Sequence, residues 1–502
     1  MRNKTIARAA LLLAIGTIFS KILGFVRELV VAYKFGAGSI SDAFVITNGI
    51  PSIIFVSVGT AIGINYIPYF QRLRDDEEKN RFTSNLLNVL LVILIAGCLI
   101  IFQVPGLFLK MFAAGLNDQT EIYAVVMLRI VVFSIIPITV SHLFQAYSQA
   151  KGLFTTTAIY GLISNTVIII MTLFATKENY WLLSIGTLVS NIAGMMVVLW
   201  GIRDSGYKYK PILKMNDSHI KEMALLSLPL IAEDIASGMS ILVDRNLASF
   251  LDSGTVSGLG YAGTLSNIAG TMITTSIVTA TFPSFSKLIS ENHIESFRET
   301  FVKYGEIILL LMCPISIIFI AFSKDIVIFV FQRGAFSDDA TTIVYQSLIC
   351  YAIGIVPNAM QSYYIRAFYS LQDTRTPAKI KVFALVCNII LNIATVKFFR
   401  HMGIAASTSL SMVISYILLG RKLKEKYHFH VSQIMRKSIF LYLMMGFFAG
   451  VLSYGIGIVF DFHHQTVRMI VELATFSLLY LGLNLIFNKK TVLDCYRMIR
   501  KK

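Results

Sequence analysis

The sequence predicts an all-α polytopic membrane protein with about 14 transmembrane helices, arranged as two pseudo-symmetric six-helix lobes followed by two C-terminal helices. Three observations predict this fold. Of the 502 residues, 56% are hydrophobic and only 14% are charged, which is too apolar for the wetted surface of a soluble domain. Apolar runs of about 18–25 residues recur along the whole chain. A segment near the N-terminus also recurs in the second half.

Fourteen apolar runs have the length of membrane spans. The first run lacks a small-residue cleavage site and leads straight into the second, which favours a retained helix over a signal peptide. The spans are expected at residues 8–33, 40–70, 84–108, 121–149, 153–176, 181–202, 222–250, 257–285, 302–323, 340–371, 378–397, 402–420, 437–460 and 466–487.

The basic residues predict the orientation of these spans. If the N-terminus is cytoplasmic, about 32 of the 44 Lys and Arg residues lie in cytoplasmic loops and tails. We therefore expect both termini in the cytoplasm. Topology and attraction to anionic membrane lipids then account for most of the net charge of +16, and a nucleic-acid partner is disfavoured.

The internal repeat aligns the segment that begins at Asp42 with the segment that begins at Ser257, without a gap. In this alignment Phe70 falls on Phe285. Six spans separate the two copies, so both copies cross the membrane in the same direction. The lobes are therefore expected to be related by an axis along the membrane normal.

The repeat predicts the domain boundaries. Two facing lobes favour a transporter that works by rocking, and a structural membrane scaffold is the alternative. The expected parts are the N-lobe with spans one to six (1–202), a cytoplasmic linker (203–220), the C-lobe with spans seven to twelve (221–421), the last pair of spans (437–487) and a basic cytoplasmic tail (488–502).

Three ionisable residues lie inside the first span: Lys21, Arg27 and Glu28. Such groups are costly in hydrocarbon and usually face a polar cavity that serves function. Lys21 and Glu28 are seven residues apart and share one helical stripe, and Arg27 lies about a third of a turn away. We predict that Lys21 and Arg27 bind an anionic headgroup, and that Glu28 belongs to the same site, where it orients them or binds a coupling cation. The alternative is that Arg27 and Glu28 form a structural ion pair.

The fourth and seventh spans carry further charges. Arg129 lies in the fourth span, and Glu233, Asp234, Asp244 and Arg245 lie in the seventh. The functional interpretation adds Arg129 and Arg245 to the headgroup site. A structural pair between Asp244 and Arg245 is the alternative.

No pattern in the chain indicates an enzyme. The histidines lie mostly in loops, the five cysteines lack metal-ligand spacing, and no glycine-rich phosphate loop follows a strand. We therefore predict no catalytic residues, no cofactor and no metal other than a candidate Na⁺.

Several blocks in order along the chain resemble the MurJ (MviN) lipid II flippases of the multidrug/oligosaccharidyl-lipid/polysaccharide exporter superfamily. The resemblance spans nearly the whole sequence, and its most specific block is RAFYSLQDTRTPAKI. The other blocks are FSKILGFVRE, FGAGSISDAF, VDRNLASFLDSGTVSGLGYA, QRGAFSDDAT and GIAASTSLS.

The resemblance implies a flippase that moves an undecaprenyl-pyrophosphate-linked peptidoglycan precursor, lipid II, from the inner to the outer leaflet of the bacterial plasma membrane. Cell-wall synthesis proteins are then candidate partners. Lys21 and Arg27 match the family's two basic positions in the first span, and Asp42 matches its acidic position at the start of the second. Arginine and lysine suit a pyrophosphate because they stay charged in a partly desolvated site.

A candidate cation site also follows from the resemblance. Asp244, Asn388, Asn392 and Thr408 resemble the family's sodium-binding positions, although Asn392 replaces an aspartate. Hydrogen bonding between helices is the alternative role of the two asparagines. The driving force is expected to be such a cation gradient or the membrane potential.

Two departures from the family pattern leave the substrate open. Phe55 and Thr264 stand where basic residues are expected. The alternatives are a flippase for another lipid-linked oligosaccharide of capsule, exopolysaccharide or teichoic type, a cation-coupled multidrug antiporter, and a non-transporting cell-wall scaffold.

Overall fold

The computed structural model describes residues 2–153, 155–427, 431–460 and 464–500. Side chains are described in these ranges except at 2–15, 56, 155, 158, 229, 232, 233, 236, 237, 269, 272, 431–434, 436, 499 and 500. All regular secondary structure in the described ranges is helical. The predicted all-α fold is therefore confirmed for this part of the chain.

Ten α-helices form the first half. A π-helical turn, Ser52–Val56, joins α2 to α3, and a 3₁₀ turn, Val132–Ser134, joins α6 to α7. The helices are α1 (Arg2–Phe35), α2 (Ser39–Pro51), α3 (Ser57–Arg72), α4 (Asp76–Gln103), α5 (Pro105–Phe112), α6 (Asp118–Val131), α7 (Ile135–Ala150), α8 (Thr155–Phe174), α9 (Leu182–Ile202) and α10 (Ser218–Ser249).

Eight α-helices form the second half. They are α11 (Thr255–Ser290), α12 (Ile294–Ala321), α13 (Ser323–Phe331), α14 (Asp338–Ser370), α15 (Arg375–Tyr427), α16 (Val431–Val459), α17 (Gln465–Phe487) and α18 (Lys489–Arg500).

Each of the fourteen predicted spans overlaps at least one helix. Spans two and four each run through two helices joined by a helical turn, and span three runs through α4 and α5, which are separated by the non-helical Val104. Spans eleven and twelve lie in α15, which breaks at Arg400, where φ is 48° and ψ is −129°. Among the described residues, nine helices are long and apolar enough to cross a membrane, or ten if the bent α11 counts as one span. The polytopic fold is confirmed, and fourteen crossings are consistent with it.

Side-chain caps mark several helix starts. Asp75 accepts a hydrogen bond from the backbone N–H of Glu78 at 2.8 Å and begins α4. Asn117 begins α6 in the same way, with the N–H of Thr120 at 2.8 Å. Such caps satisfy donors that the helix itself leaves without partners.

The chain divides into two compact units. The first comprises Met1–Ser257 with Arg333–Ser337, and the second comprises Gly258–Gln332 with Asp338–Lys502. Helix α10 therefore groups with the first unit, because it packs on α3. The lobe boundaries inferred from the repeat remain a prediction.

Each unit has a buried aromatic cluster that includes one member of the aligned pair Phe70 and Phe285. In the first unit, Phe70 stacks on Tyr66 with ring centroids 5.4 Å apart. In the second, Phe285 meets the ring of Phe297 edge-on at 5.1 Å. Both phenylalanines are at most 2% exposed. The two phenylalanines that the repeat aligns are therefore both buried among aromatic rings of their own units.

The linker between α9 and α10 lies along α4. Asn85 accepts from the backbone N–H of Lys214 at 2.7 Å and donates to its carbonyl at 3.1 Å. Asn88 donates to the carbonyl of Ile212 at 2.8 Å, and Lys210 forms a 2.6 Å ion pair with Glu77. These bonds satisfy the backbone polar groups of a segment that has no helix of its own.

Candidate functional site

Helix α1 carries the charges of the first span and packs on α8 through small residues. The side chain of Asn165 on α8 donates to the carbonyl of Ser20 at 3.1 Å and to the carbonyl of Gly161 at 2.8 Å. A side chain on Gly161 would collide with the hydroxyl of Ser20, whereas one on Gly24 would make ordinary contact with Asn165. The close approach fixes the part of α1 that carries Lys21.

Arg27 and Glu28 form an ion pair on α1. Nη2 of Arg27 lies 2.6 Å from Oε1 of Glu28, and the two side chains are 35% and 21% exposed. Nε of Arg27 is buried and has no hydrogen-bond partner. The structural alternative is thus realised in part, because Glu28 orients the guanidinium. The side chain as a whole stays 35% exposed, so the guanidinium can still donate to a ligand oxygen on its open side.

Lys21 is exposed on the same helix. Six residues separate it from Arg27, which corresponds to a rise of about 9 Å along the axis. Its ammonium group is free to move on a flexible stem, whereas the guanidinium of Arg27 is held by Glu28. The headgroup-binding roles of Lys21, Arg27 and Glu28 remain predictions.

The other two predicted cationic residues lie against different helices. The guanidinium of Arg245 on α10 occupies the space above Gly49 on α2, where a side chain would collide with it. Arg129 on α6 is exposed, and its guanidinium carbon lies 5.8 Å from the centroid of the Phe102 ring on α4. A headgroup role for either arginine remains a prediction. The side chain of Glu233, also singled out in the sequence, lies outside the described residues.

Asp42 occupies a buried structural position at the start of α2. Its Oδ1 accepts from the backbone N–H of Ser257 at 2.7 Å and from its hydroxyl at 2.6 Å, and its Oδ2 accepts from the N–H of Gly254 at 2.6 Å. Asp42 is only 3% exposed and caps the first turn of α11. Because both its oxygens are engaged by protein donors, a direct contact with a headgroup requires that this cap open.

The turn that precedes α2 contacts the segment around Ala335. A short turn joins α1, which ends at Phe35, to α2, which begins at Ser39. Gly36 has a φ of 64° and packs against the carbonyl of Ala335, whose own N–H donates to the carbonyl of Tyr33 at 2.8 Å. Only a glycine fits this left-handed turn without strain.

Phe55 replaces an expected basic residue and packs inside the first unit. It lies in the π-helical turn after Pro51, and its ring fills the space over Gly97 on α4. A proline lacks the N–H that the helix ladder needs, which is consistent with a local change of register at this point. Gly97 makes room for a ring where a larger residue would not.

The residues of the candidate cation site belong to both units. Asp244 lies in the first unit, and the other three lie in the second. There, Asn392 donates to Oδ1 of Asn388 at 3.2 Å, and Asn388 donates to the hydroxyl of Thr408 at 3.4 Å. Both asparagines are buried, and the bond from Asn388 to Thr408 joins the two halves of α15. A cation role remains a prediction.

No conventional metal centre is found in the described part of the chain. No group of three or more His, Cys, Asp or Glu side chains there could hold a metal ion. The five cysteines are free thiols.

Sequence reasoning missed two functional candidates, Asn165 and Ser257. The alignment of the repeat contains a signal for Ser257, because it places this residue on Asp42. Nothing in the sequence pairs Asn165 with Ser20, since that contact joins residues 145 positions apart.

The helical fold, with nine or ten helices in the described residues that are long and apolar enough to cross a membrane, defines a polytopic membrane protein. Two solved structures share the fold. A structure titled "Lipid II flippase MurJ, inward closed conformation" superimposes with a TM-score of 0.84 at 24% identity, covering 96% of this chain and 100% of that one. An inward-facing multidrug transporter of the MATE family and MOP superfamily superimposes with a TM-score of 0.70 at 12% identity, covering 86% and 99%.

The family model described as "Lipid II flippase MurJ" matches residues 31–485, and the chain belongs to this family. A "Probable lipid II flippase MurJ" from Buchnera aphidicola subsp. Schizaphis graminum is 27% identical over 501 residues, covering 95% of this chain and 96% of that protein. Another, from Thermotoga maritima, is 24% identical over 451 residues, covering 89% and 92%.

Proposed function

We propose that the protein translocates lipid II across the bacterial cytoplasmic membrane by alternating access. The observation that carries the proposal is the family match over residues 31–485. Lys21 and Arg27 precede the matched range, so their proposed role rests on the geometry of α1. Both termini are proposed to be cytoplasmic, on the distribution of basic residues.

In this mechanism the pyrophosphate binds first to α1. Glu28 holds one side of the Arg27 guanidinium, and the exposed part of this group, whose side chain is 35% exposed, donates to a phosphate oxygen. Lys21 supplies a mobile second charge. Charge-assisted hydrogen bonds in a partly desolvated site are strong enough to take the headgroup from water. The undecaprenyl chain stays in the lipid, because it is apolar.

Release on the opposite side requires the start of α11 to separate from α2. The Asp42 cap joins these two helix ends, so it is proposed to form and break in each transport cycle. The cap consists of three hydrogen bonds of 2.6–2.7 Å, two of them from backbone N–H groups. Water can replace each of these bonds, and no covalent bond has to break.

Complementation tests the proposal. In a strain depleted of its own lipid II flippase, the unsubstituted protein is expected to restore growth. A variant with Lys21→Ala and Arg27→Ala is expected to fail at the same membrane abundance. The matched control is Lys110→Ala, which removes an exposed cation from α5 and should complement fully. Full complementation by the double variant would remove Lys21 and Arg27 from the headgroup site.

A second candidate is a flippase for another lipid-linked glycan, favoured by the packing of Phe55 on Gly97. This contact places a half-buried ring where a cation is expected and leaves fewer charges for a pyrophosphate. Failure to complement the lipid II strain, with rescue of a strain that lacks a capsule-type or exopolysaccharide flippase, would establish this candidate instead.

The coupling ion and the protein partners are further proposals. Replacing Na⁺ by choline should slow transport if the set of Asp244, Asn388, Asn392 and Thr408 binds a cation. It should leave the rate unchanged if the asparagines only join helices. Co-purification with cell-wall synthesis proteins after crosslinking in cells tests the proposed partners.

A further inference from the structure

The last described helix, α18, has two different faces. Cys495 is 8% exposed and Thr491 is equally buried, and both lie on the side that packs on α12 and α17. The opposite side carries exposed residues within an arc of about 120°. They are Lys489, Lys490, Leu493, Tyr496 and Arg497. We call these five residues the outer face of α18.

Two polar contacts fix the orientation of this helix. Asp494, the acidic residue of α18, forms a 2.9 Å ion pair with Lys303 on α12. The hydroxyl of Thr491 donates to Oε2 of Glu306, also on α12, at 3.2 Å. Because Asp494 is drawn to the packed side, the outer face carries three positive charges and no negative one.

The position of α18 along the chain places the outer face at the membrane surface. Helix α17 is a candidate span, and its last residues, Ile486 and Phe487, are 74% and 66% exposed. Only Asn488 separates Phe487 from Lys489. An apolar surface exposed at the end of a span faces lipid tails, so a basic residue one or two positions later lies at the level of the headgroups.

The outer face contains the residue types that are common at the level of the lipid headgroups. Leu493 lies at its centre, with Lys489 and Tyr496 on one side and Lys490 and Arg497 on the other. Tyrosine is favoured at the membrane–water interface, and lysine and arginine attract anionic headgroups there. A face exposed only to water would gain nothing from Leu493 and Tyr496.

We propose that the outer face of α18 is a binding surface for anionic phospholipids of the adjacent leaflet. Leu493 and Tyr496 insert at the interface, and the three basic residues bind lipid phosphates. The surface lies outside the proposed headgroup site, and the inference does not depend on which glycan is transported.

The test uses the full chain with a single fluorescent reporter in α18. The chain has two tryptophans, Trp181 and Trp200, which are changed to phenylalanine, and Tyr496→Trp introduces the reporter. The protein is reconstituted into phosphatidylcholine vesicles that contain increasing fractions of brominated phosphatidylglycerol or brominated phosphatidylcholine. Quenching reports which lipid lies against α18.

The proposal predicts that brominated phosphatidylglycerol quenches with at least threefold higher apparent affinity than brominated phosphatidylcholine. Adding Lys489→Gln, Lys490→Gln and Arg497→Gln should reduce this ratio to about one. The control variant carries Arg203→Gln, Lys208→Gln and Lys221→Gln, which removes the same charge at exposed positions elsewhere and should keep the ratio.

Three results would overturn the proposal. They are a ratio of one in the reporter protein itself, an equal loss in the control variant, and the absence of quenching by either lipid, which would place the face in water. Size-exclusion profiles of all variants confirm that each is folded.

Discussion

The carboxylate of Asp42 accepts hydrogen bonds from both the backbone N–H and the hydroxyl of Ser257, the residue 215 positions later. The same spacing aligns the two copies of the internal repeat, so these are equivalent residues in contact with each other. One copy supplies a carboxylate and the other supplies the N-terminus of a helix. Anions are favoured at helix N-termini. The contact forms because one copy has an aspartate where the other has a serine at the start of a helix.

Removing this cap should destabilise the protein and slow transport. Asp42→Ala leaves the N–H groups of Gly254 and Ser257 without their acceptor, at a cost of about 1–3 kcal/mol. Thermal unfolding in detergent and complementation measure the two effects. Ser39→Ala is the control, because it removes only an exposed hydroxyl contact with Ser253, which also lies near the starts of α2 and α11. Equal unfolding temperatures for the Asp42 and Ser39 variants would contradict the assigned role.

The α1–α8 contact predicts opposite outcomes for two glycines. Gly161→Ala should displace the Ser20 hydroxyl and press on its Cβ, which would lie 3.0 Å from the new methyl group, at a cost of about 1 kcal/mol. Gly24→Ala should be tolerated, since the new Cβ would lie 3.7 Å from Oδ1 of Asn165, which is an ordinary contact distance. Lipid II transport and unfolding temperature are measured for both. A greater loss in the Gly24 variant would show that α1 is not held as described.

Asp373 lies outside the predicted spans, and its ionisation should make the stability of the protein depend on pH. It accepts from the N–H of Thr376 at 3.0 Å and from Lys426 at 2.9 Å. Burial raises the pKa of Asp373, but the hydrogen bonds from Thr376 and Lys426 outweigh it and lower the pKa from 3.8 to about 2. A lowered pKa contributes stability that is complete above pH 3.8 and is lost as the pH falls through about 2.

The unfolding free energy of the Asp373→Asn variant should therefore lie about 1–2 kcal/mol below that of the unsubstituted protein at neutral pH. The difference should shrink to about half at pH 3. Denaturant unfolding in detergent at several pH values provides the measurement. A difference that stays constant between pH 7 and pH 3 would contradict the ionic role.

The linker on α4 should become accessible when its asparagine bonds are removed. Asn85→Ala deletes both bonds to Lys214, so trypsin should cleave after Lys214 at least several times faster. Asn191→Ala on α9 is a control, because that side chain bonds Tyr160 and its own helix rather than the linker. Unchanged cleavage in the Asn85 variant would show that the linker is held by other contacts.

The sequence predicts the helices far better than it predicts their polar partners. Apolar length alone locates spans such as Leu182–Ile202, and the turn at Gly36 follows from glycine chemistry. The pair between Arg27 and Glu28 was foreseeable because the residues are adjacent. The bonds from Asn85 to the linker and from Asn165 to α1 were not, because they depend on how distant helices pack.

The role of Phe55 shows a different limit. Family resemblance marks the position as one that lacks its cation, but only the structure shows that the ring packs over Gly97. A phenylalanine at position 55 requires a small residue on α4, where Gly97 lies. The sequence does not show this pairing, because it depends on α4 lying beside the π-helical turn.

The most direct measurement of the central claim is lipid II translocation by the purified, reconstituted protein, with and without an imposed membrane potential. The unsubstituted protein should expose lipid II from the inner leaflet to an external probe, and Lys110→Ala should match it within about twofold. Arg27→Ala should slow translocation about 10–100-fold, the loss expected for a charge-assisted hydrogen bond. No acceleration over protein-free vesicles, or an Arg27→Ala rate equal to that of the unsubstituted protein, would contradict the account.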